Sequence, residues 1–262
     1  MAEGRYGAKP TGLRFRDELR DFFRFIVRPR LGPRLPGRHA TRGWWEDWFP
    51  ALSVGSLLKW ALFLWAINLV FLGPIAVAAA TAGGATHRLN VHDIPWMAAL
   101  LWAPIVEELV FRYGMRRPGA LWWLVPAAVA AMLMGPKWSG ALMVAGILLI
   151  CWLPHLIGPQ YARQPLPWRY RLVFRRAFPW IFHAASLSFA AVHLYNFQLH
   201  STPWWLLPLL VLPQWLTGLV LGWLRVKRGI GASMLLHGMF NGGPLLVVWI
   251  VIQWAPDMVN AL

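Results

Sequence analysis

Glu107 and Glu108 stand side by side, with Arg112 one helical turn further on, inside an otherwise apolar run from Ile94 to Tyr113. A charged side chain near the centre of a bilayer costs about 2.5–3.5 kcal/mol on insertion scales, so acids kept in such a run are expected to line a polar cavity or an active site. The i, i+4 spacing lets Glu108 and Arg112 pair on one helix face. Glu107 is rotated from that face by about 100° and is left free to act. Two more apolar runs carry polar faces: Ser186, Phe189 and His193 are spaced i, i+3, i+7, and His237 and Asn241 are spaced i, i+4. A core that gathers these faces holds a carboxylate, two imidazoles and an amide, which together can split an amide bond with water. A desolvated carboxylate takes a proton from water, and an imidazole orients the same water. Donors from a second His and an Asn stabilise the developing oxyanion, an effect worth about 2.7–4 kcal/mol per donor in other hydrolases.

The elements that must bring these faces together are membrane helices. Hydrophobic residues make up 58% of the 262-residue chain and charged residues 13%, against about 25% charged in soluble domains. Each helical span needs about 20 mostly apolar residues. The sequence reads as an all-α polytopic bundle of about seven spans: Leu57 to Ala80, Ile94 to Tyr113, Ala120 to Gly135, Gly140 to Ile157, Ala177 to Leu199, Trp204 to Leu224, and Ile230 to Trp254. Lys and Arg collect in cytosolic loops. Eleven precede the first span, Arg116 and Arg117 follow the second, five lie between Arg163 and Arg176, and Arg225, Lys227 and Arg228 follow the sixth. The other loops hold only Arg88 and Lys137. This alternation predicts a cytosolic N-terminus. It also accounts for the net charge of +15 as orientation and contact with anionic lipid at the basic loops, rather than nucleic-acid binding.

Residues 1–50 read as a basic cytosolic segment and residues 51–262 as the membrane-embedded domain. Leu19, Phe22, Phe23, Ile26 and Val27 alternate with Arg16, Arg20, Arg24 and Arg28 at helical spacing, the pattern of an interfacial helix; packing of that helix on protein is the alternative. A second surface helix is expected over Trp168 to Phe178. Cys151 is the single cysteine, so no intramolecular disulfide forms. His155 and His183 read as helix-to-helix hydrogen-bonding residues, and the Trp pairs at 44 and 45, 122 and 123, and 204 and 205 as interfacial anchors.

The motif Glu107-Glu108-Leu109-Val110-Phe111-Arg112 resembles the EExxxR motif of the CPBP intramembrane proteases, also called the CAAX protease, bacteriocin-processing or Abi family. Phe189-Ala190-Ala191-Val192-His193 is similar to that family's FxxxH motif, and His237-Gly238-Met239-Phe240-Asn241 to its HxxxN motif. The resemblance covers about residues 100 to 245. It implies Glu107 as catalytic base, His193 as partner in water activation, and His237 with Asn241 as the oxyanion hole. Glu108, Arg112 and Phe189 would support them, and the substrate would be a membrane-anchored protein or peptide cut near its C-terminus. A prokaryotic inner membrane is the expected location.

Three other readings use the same residues. One of the two glutamates with His193 and His237 would make a catalytic zinc set with water; without HExxH or an evident carboxylate behind the histidines, water activation without a metal or other cofactor is the favoured expectation. An idle binding or immunity protein would have no need of base, water-orienting imidazole and oxyanion donors together. A transporter would be expected to carry repeats and paired broken helices, which the sequence lacks. Depth gives a further expectation. At about 1.5 Å per residue, Glu107 lies roughly 9 Å and His237 roughly 11 Å from the cytosolic ends of their spans. His193 matches them only if its span begins near His183.

Overall fold

Away from water every backbone polar group must be satisfied within the protein, and an apolar chain does this most locally as a helix. A computed structural model describes residues 14–32, 45–49, 54–89, 93–157 and 166–254, and these are almost entirely helical. In chain order the α-helices are α1 (Phe15–Val27), α2 (Trp45–Trp48), α3 (Val54–Ile67), α4 (Gly73–Gly83), α5 (Ala103–Phe111), α6 (Leu121–Met134), α7 (Trp138–Ile157), α8 (Trp168–Val192), α9 (Leu207–Leu210), α10 (Leu212–Lys227) and α11 (Ile230–Trp254). Two short strands, β1 (Thr86–His87) and β2 (Phe197–Gln198), pair antiparallel and tie the loop after α4 to the loop after α8. Much of the basic N-terminal segment, with Pro33, Pro36 and Trp44, lies outside the described residues.

Three helical runs are long and apolar enough to cross a bilayer: Val54–Gly83, Trp168–Asn196 and Ile230–Trp254. The number rises to five if each of two bent pairs counts as one span, Ala98–Met115 with Pro118–Met134 and Trp204–Leu210 with Leu212–Lys227, whose bends are 120° and 50°. The chain is thus an integral membrane helix bundle with at least three candidate spans.

Two segments are wound as π-helix, Asn68–Leu72 and Ala98–Trp102, and each runs directly into a residue followed by proline, Gly73-Pro74 and Ala103-Pro104. The proline is the cause. It has no N–H to donate backward, so the turn before it gives up the ordinary register; Gly73 and Ala103 bond five residues back, to the carbonyls of Asn68 and Ala98. In that register Pro104 would have served the carbonyl of Ala99, which is left to find another donor.

The sequence suggests a surface helix over Trp168 to Phe178 and a separate span starting near His183, but the structure joins them in one 25-residue helix, α8, with Pro179 inside it. The physical reason is packing along its whole length. Phe174, Phe178 and Phe182 on one face are buried, and Phe182 meets Phe25 of α1 edge-on at 5.1 Å between ring centroids. The level of His193 is set instead by antiparallel contact with α10, where glycines let the backbones approach. Phe182 lies over Gly222 and Ser186 over Gly218.

The basic amphipathic helix α1 packs on protein through Phe22 and Phe25, while Phe23 and Val27 stay exposed. Phe22 sits against Trp60 and Trp223. Polar contacts fix its position: Glu18 pairs with Arg228 and accepts from the Trp60 indole at 2.9 Å, and Asp21 accepts from the Trp223 indole at 2.8 Å. Both acids fall on the side of α1 that meets the last turns of α10.

Gly243 makes the tightest glycine contact between α11 and α3. A Cβ there would come within 2.0 Å of the Trp65 ring, whose indole donates to the Phe240 carbonyl at 3.0 Å. Gly243→Ala is therefore expected to displace that ring and to destabilise the fold by about 1–3 kcal/mol, the usual range for overpacking. Thermal unfolding in detergent measures this; an unchanged midpoint would mean that α3 and α11 are not held at this register.

Candidate active site

Antiparallel packing of α11 on α5 and the π-turn before it builds the site. Three contacts define the register: Ser233 lies beside Glu108, His237 beside both glutamates, and Asn241 beside Ala99. Gly238 allows the close approach, with its Cα side 3.0 Å, at the position of a Cβ, from the Leu100 carbonyl.

Glu108 is fully buried and heavily engaged. It pairs with Arg112 one turn on, accepts a hydrogen bond from the Ser233 hydroxyl, and lies 3.0 Å from Nδ1 of His237. The local i, i+4 pairing expected from sequence is present. Arg112, 1% exposed, also lies over the Phe189 ring at 4.1 Å. That ring touches Phe111, His193 and His237 as well. The phenylalanine of the second motif is thus a wall shared by the arginine of the first and by both histidines.

Glu107 faces the other way. Its Oε2 is buried, has no hydrogen-bond partner among the described residues, and lies 3.7 Å from Nε2 of His237. His237 consequently spans the two acids, with Nδ1 on Glu108 and Nε2 toward Glu107. Glu107, His193, His237 and Asn241 all line one cavity of about 1230 Å³. His193 opens the short 3-10 turn His193–Asn196 after α8, and its Nδ1 is 2.7 Å from the Phe189 carbonyl. With that nitrogen bonded as donor to a carbonyl, Nε2 is the acceptor of the neutral ring. Asn241 donates through Nδ2 to the Ala99 carbonyl at 3.0 Å, the acceptor that the π-turn and Pro104 leave without a backbone donor. An Asn amide has two N–H groups, so one remains for a bound oxygen.

Three polar residues of the site escape the motif reading. Ser233, one turn before His237, is buried; its single O–H donates to Glu108, and its oxygen also lies 3.0 Å from the Leu221 carbonyl. Gln214 and Thr217 line the cavity from α10, and Oε1 of Gln214 is buried with no hydrogen-bond partner among the described residues. A signal for them existed: Ser233 shares the i, i+4 face of His237, and Gln214 and Thr217 are the polar residues of the run Trp204 to Leu224. Ser233→Ala removes a hydrogen bond to a charged group, worth about 1.5–3 kcal/mol. Its expected result is a lower unfolding midpoint together with retained, weakened activity; full stability would mean that Glu108 does not need this donor.

His87, which also lines the cavity, packs edge-on against Phe197 and accepts the Leu89 N–H on Nδ1 at 3.0 Å, which requires a neutral ring. Partial desolvation lowers its pKa, in the same sense. Among the described residues no three His, Cys, Asp or Glu side chains are grouped as a metal shell.

A family model described as type II CAAX prenyl endopeptidase Rce1-like matches residues 94–243, a stretch that takes in Glu107, His193, His237 and Asn241. No curated protein and no solved structure matches the chain.

Proposed function

The chain belongs to the Rce1-like family of type II CAAX prenyl endopeptidases, and from that premise we propose that it is a glutamate-dependent intramembrane endopeptidase that cuts a membrane-anchored protein or peptide near its C-terminus. Glu107 takes a proton from a water that His193 also holds. The hydroxide adds to the carbonyl carbon, and the oxyanion accepts hydrogen bonds from the Nε2–H that His237 carries when its ring is protonated on both nitrogens and from the free N–H of Asn241. Collapse of the tetrahedral intermediate breaks the C–N bond, and the proton held by Glu107 passes to the leaving amine.

The observation that carries this reading is the unequal treatment of two adjacent acids. Glu108 is saturated by Arg112, Ser233 and His237, whereas Glu107 turns an unpartnered carboxylate oxygen toward His237 in the cavity that His193 and Asn241 also line. Glu107 is only partly buried and its Oε2 makes no hydrogen bond among the described residues, so helix packing does not consume it as it consumes Glu108. Water activation without a metal belongs to the same proposal and rests on the lack of an HExxH motif; Glu108 on Nδ1 of His237 is a carboxylate behind a histidine that the sequence did not reveal, and such a carboxylate would also orient that ring toward a metal.

We also propose seven passes with a cytosolic N-terminus, in a prokaryotic inner membrane. The 120° bend between Ala98–Met115 and Pro118–Met134 supports two separate legs, since it sends the chain back along its own path. Anionic lipid at the basic loops is part of the same proposal.

The test is incubation of the purified protein in lipid with a panel of membrane-anchored C-terminal peptides, read by product mass, with and without a chelator. Cleavage that persists under chelation is expected. Loss on chelation with recovery on adding zinc would move Glu107, His193 and His237 into a metal shell.

A further inference from the structure

Gln214 and Thr217 bring polar side chains into the cavity of Glu107 from α10, and the proposed cleavage makes no use of them. They are the polar residues of a run that is otherwise apolar from Trp204 to Leu224. Spaced i, i+3, they share one helix face. Their states differ. The Thr217 hydroxyl is satisfied within its own helix, donating to the Pro213 carbonyl at 2.8 Å. Oε1 of Gln214 is buried and accepts no hydrogen bond among the described residues.

An amide in an apolar helix is commonly kept to bond a neighbouring helix, and the Gln214 oxygen makes no such bond. A buried acceptor without a donor weakens a fold, and a leucine would fill the same place without that cost. The proposed substrate supplies the missing donor. A peptide brings one backbone N–H from each non-proline residue, and every N–H that leaves water for an apolar cavity needs an acceptor there. In the proposed cleavage Glu107 and His193 hold the water, while His237 and Asn241 donate to the oxyanion. None of the four is left to receive a substrate N–H. The cavity, at about 1230 Å³, exceeds the roughly 300–1,000 Å³ of small-molecule pockets, so it has room for residues beside the scissile bond.

We propose that Gln214 is a substrate-binding residue whose Oε1 accepts a backbone N–H of the peptide close to the scissile bond and so holds the scissile carbonyl in register with Glu107. This deepens the proposed protease function and rests on it. Such a contact reads the main chain and is indifferent to most side chains. It excludes proline at the substrate position that faces Gln214, because proline has no N–H to give. The substrate class that follows is an extended segment of varied sequence with a non-proline residue at that position.

Single-atom changes in the substrate test this in the full-length protein in lipid. A peptide that the wild type cleaves is remade with one non-scissile amide at a time replaced by an ester, which deletes one N–H without adding bulk. At one position the ester is expected to lower kcat/KM about tenfold, the loss of one hydrogen bond. The same ester should cost Gln214→Met nothing further. That variant should cleave the all-amide peptide about tenfold less efficiently through a higher KM, with an unfolding midpoint no lower than wild type. Gln214→Glu keeps an acceptor and should regain the ester penalty; Gln214→Leu is the second apolar variant should the methionine protein fold poorly. An ester penalty undiminished in the apolar variants, or all-amide cleavage as efficient as in wild type, would overturn the proposal. A lowered midpoint in both apolar variants would also overturn it, by making Gln214 a structural residue. Failure of the protease reading shows separately: cleavage that survives Glu107→Gln, yet still loses its ester penalty in Gln214→Met, would remove the glutamate base and leave this contact standing.

Discussion

Glu107→Gln is expected to abolish cleavage while leaving the fold intact. The amide keeps the shape of the carboxylate but cannot take a proton from water, and loss of a positioned general base typically costs 10²–10⁴-fold in rate, roughly 3–5 kcal/mol of transition-state stabilisation. The fold should not suffer, because the side chain's Oε2 makes no hydrogen bond that glutamine would break. The substitution also removes a largely buried charge that lies 3.7 Å from His237 Nε2. The pair of measurements is kcat on a cleaved peptide and the unfolding midpoint in the same lipid. A residual rate within a few-fold of wild type would place the base elsewhere and revive the reading as a binding or immunity protein. A rate lost together with the midpoint would make Glu107 a structural residue.

Arg112→Ala should do the reverse, damaging stability first and activity as a consequence. Removing one partner of a buried ion pair leaves the other uncompensated and typically costs 3–5 kcal/mol. Here Glu108 would keep only Ser233 and His237, and the Phe189 ring would lose the guanidinium 4.1 Å above it. The expected observation is a steep fall in unfolding midpoint and in the yield of folded protein. Replacing both partners with apolar residues of similar volume, Glu108→Leu with Arg112→Met, should recover part of the stability without recovering activity, because His237 would no longer be held through Nδ1. Recovery of both would show that the pair serves packing alone. An Arg112→Ala protein of normal stability but lost activity would instead give Arg112 a direct role in the reaction.

These two outcomes depend on a distinction between neighbouring residues that the sequence already carried. Helical spacing put Arg112 on the face of Glu108 and turned Glu107 away from it, and this holds because one turn of helix is local geometry that needs no tertiary partner. The helical class and the three motif-bearing segments were equally legible, since charges and amides stand out in runs that are otherwise apolar.

Long-range register was not legible. That His237 bridges both acids, that Ser233 supports Glu108, and that Asn241 spends one N–H on Ala99 all follow from where α11 crosses α5 and the π-turn before it. Close approaches at Gly238 and Gly243 set that crossing, and no spacing within a single helix reveals it. The extent of α8 was misread for a related reason: four arginines among Trp168 to Phe178 suggest a surface segment, but the aromatic face between them is buried against α1 and α10. Sequence by itself determined which residues could do chemistry and which end of each helix carries the positive charge. Only the tertiary structure decided which acid keeps a carboxylate oxygen without a hydrogen bond and which residues line the cavity beside it, because both depend on backbones that meet across the bundle.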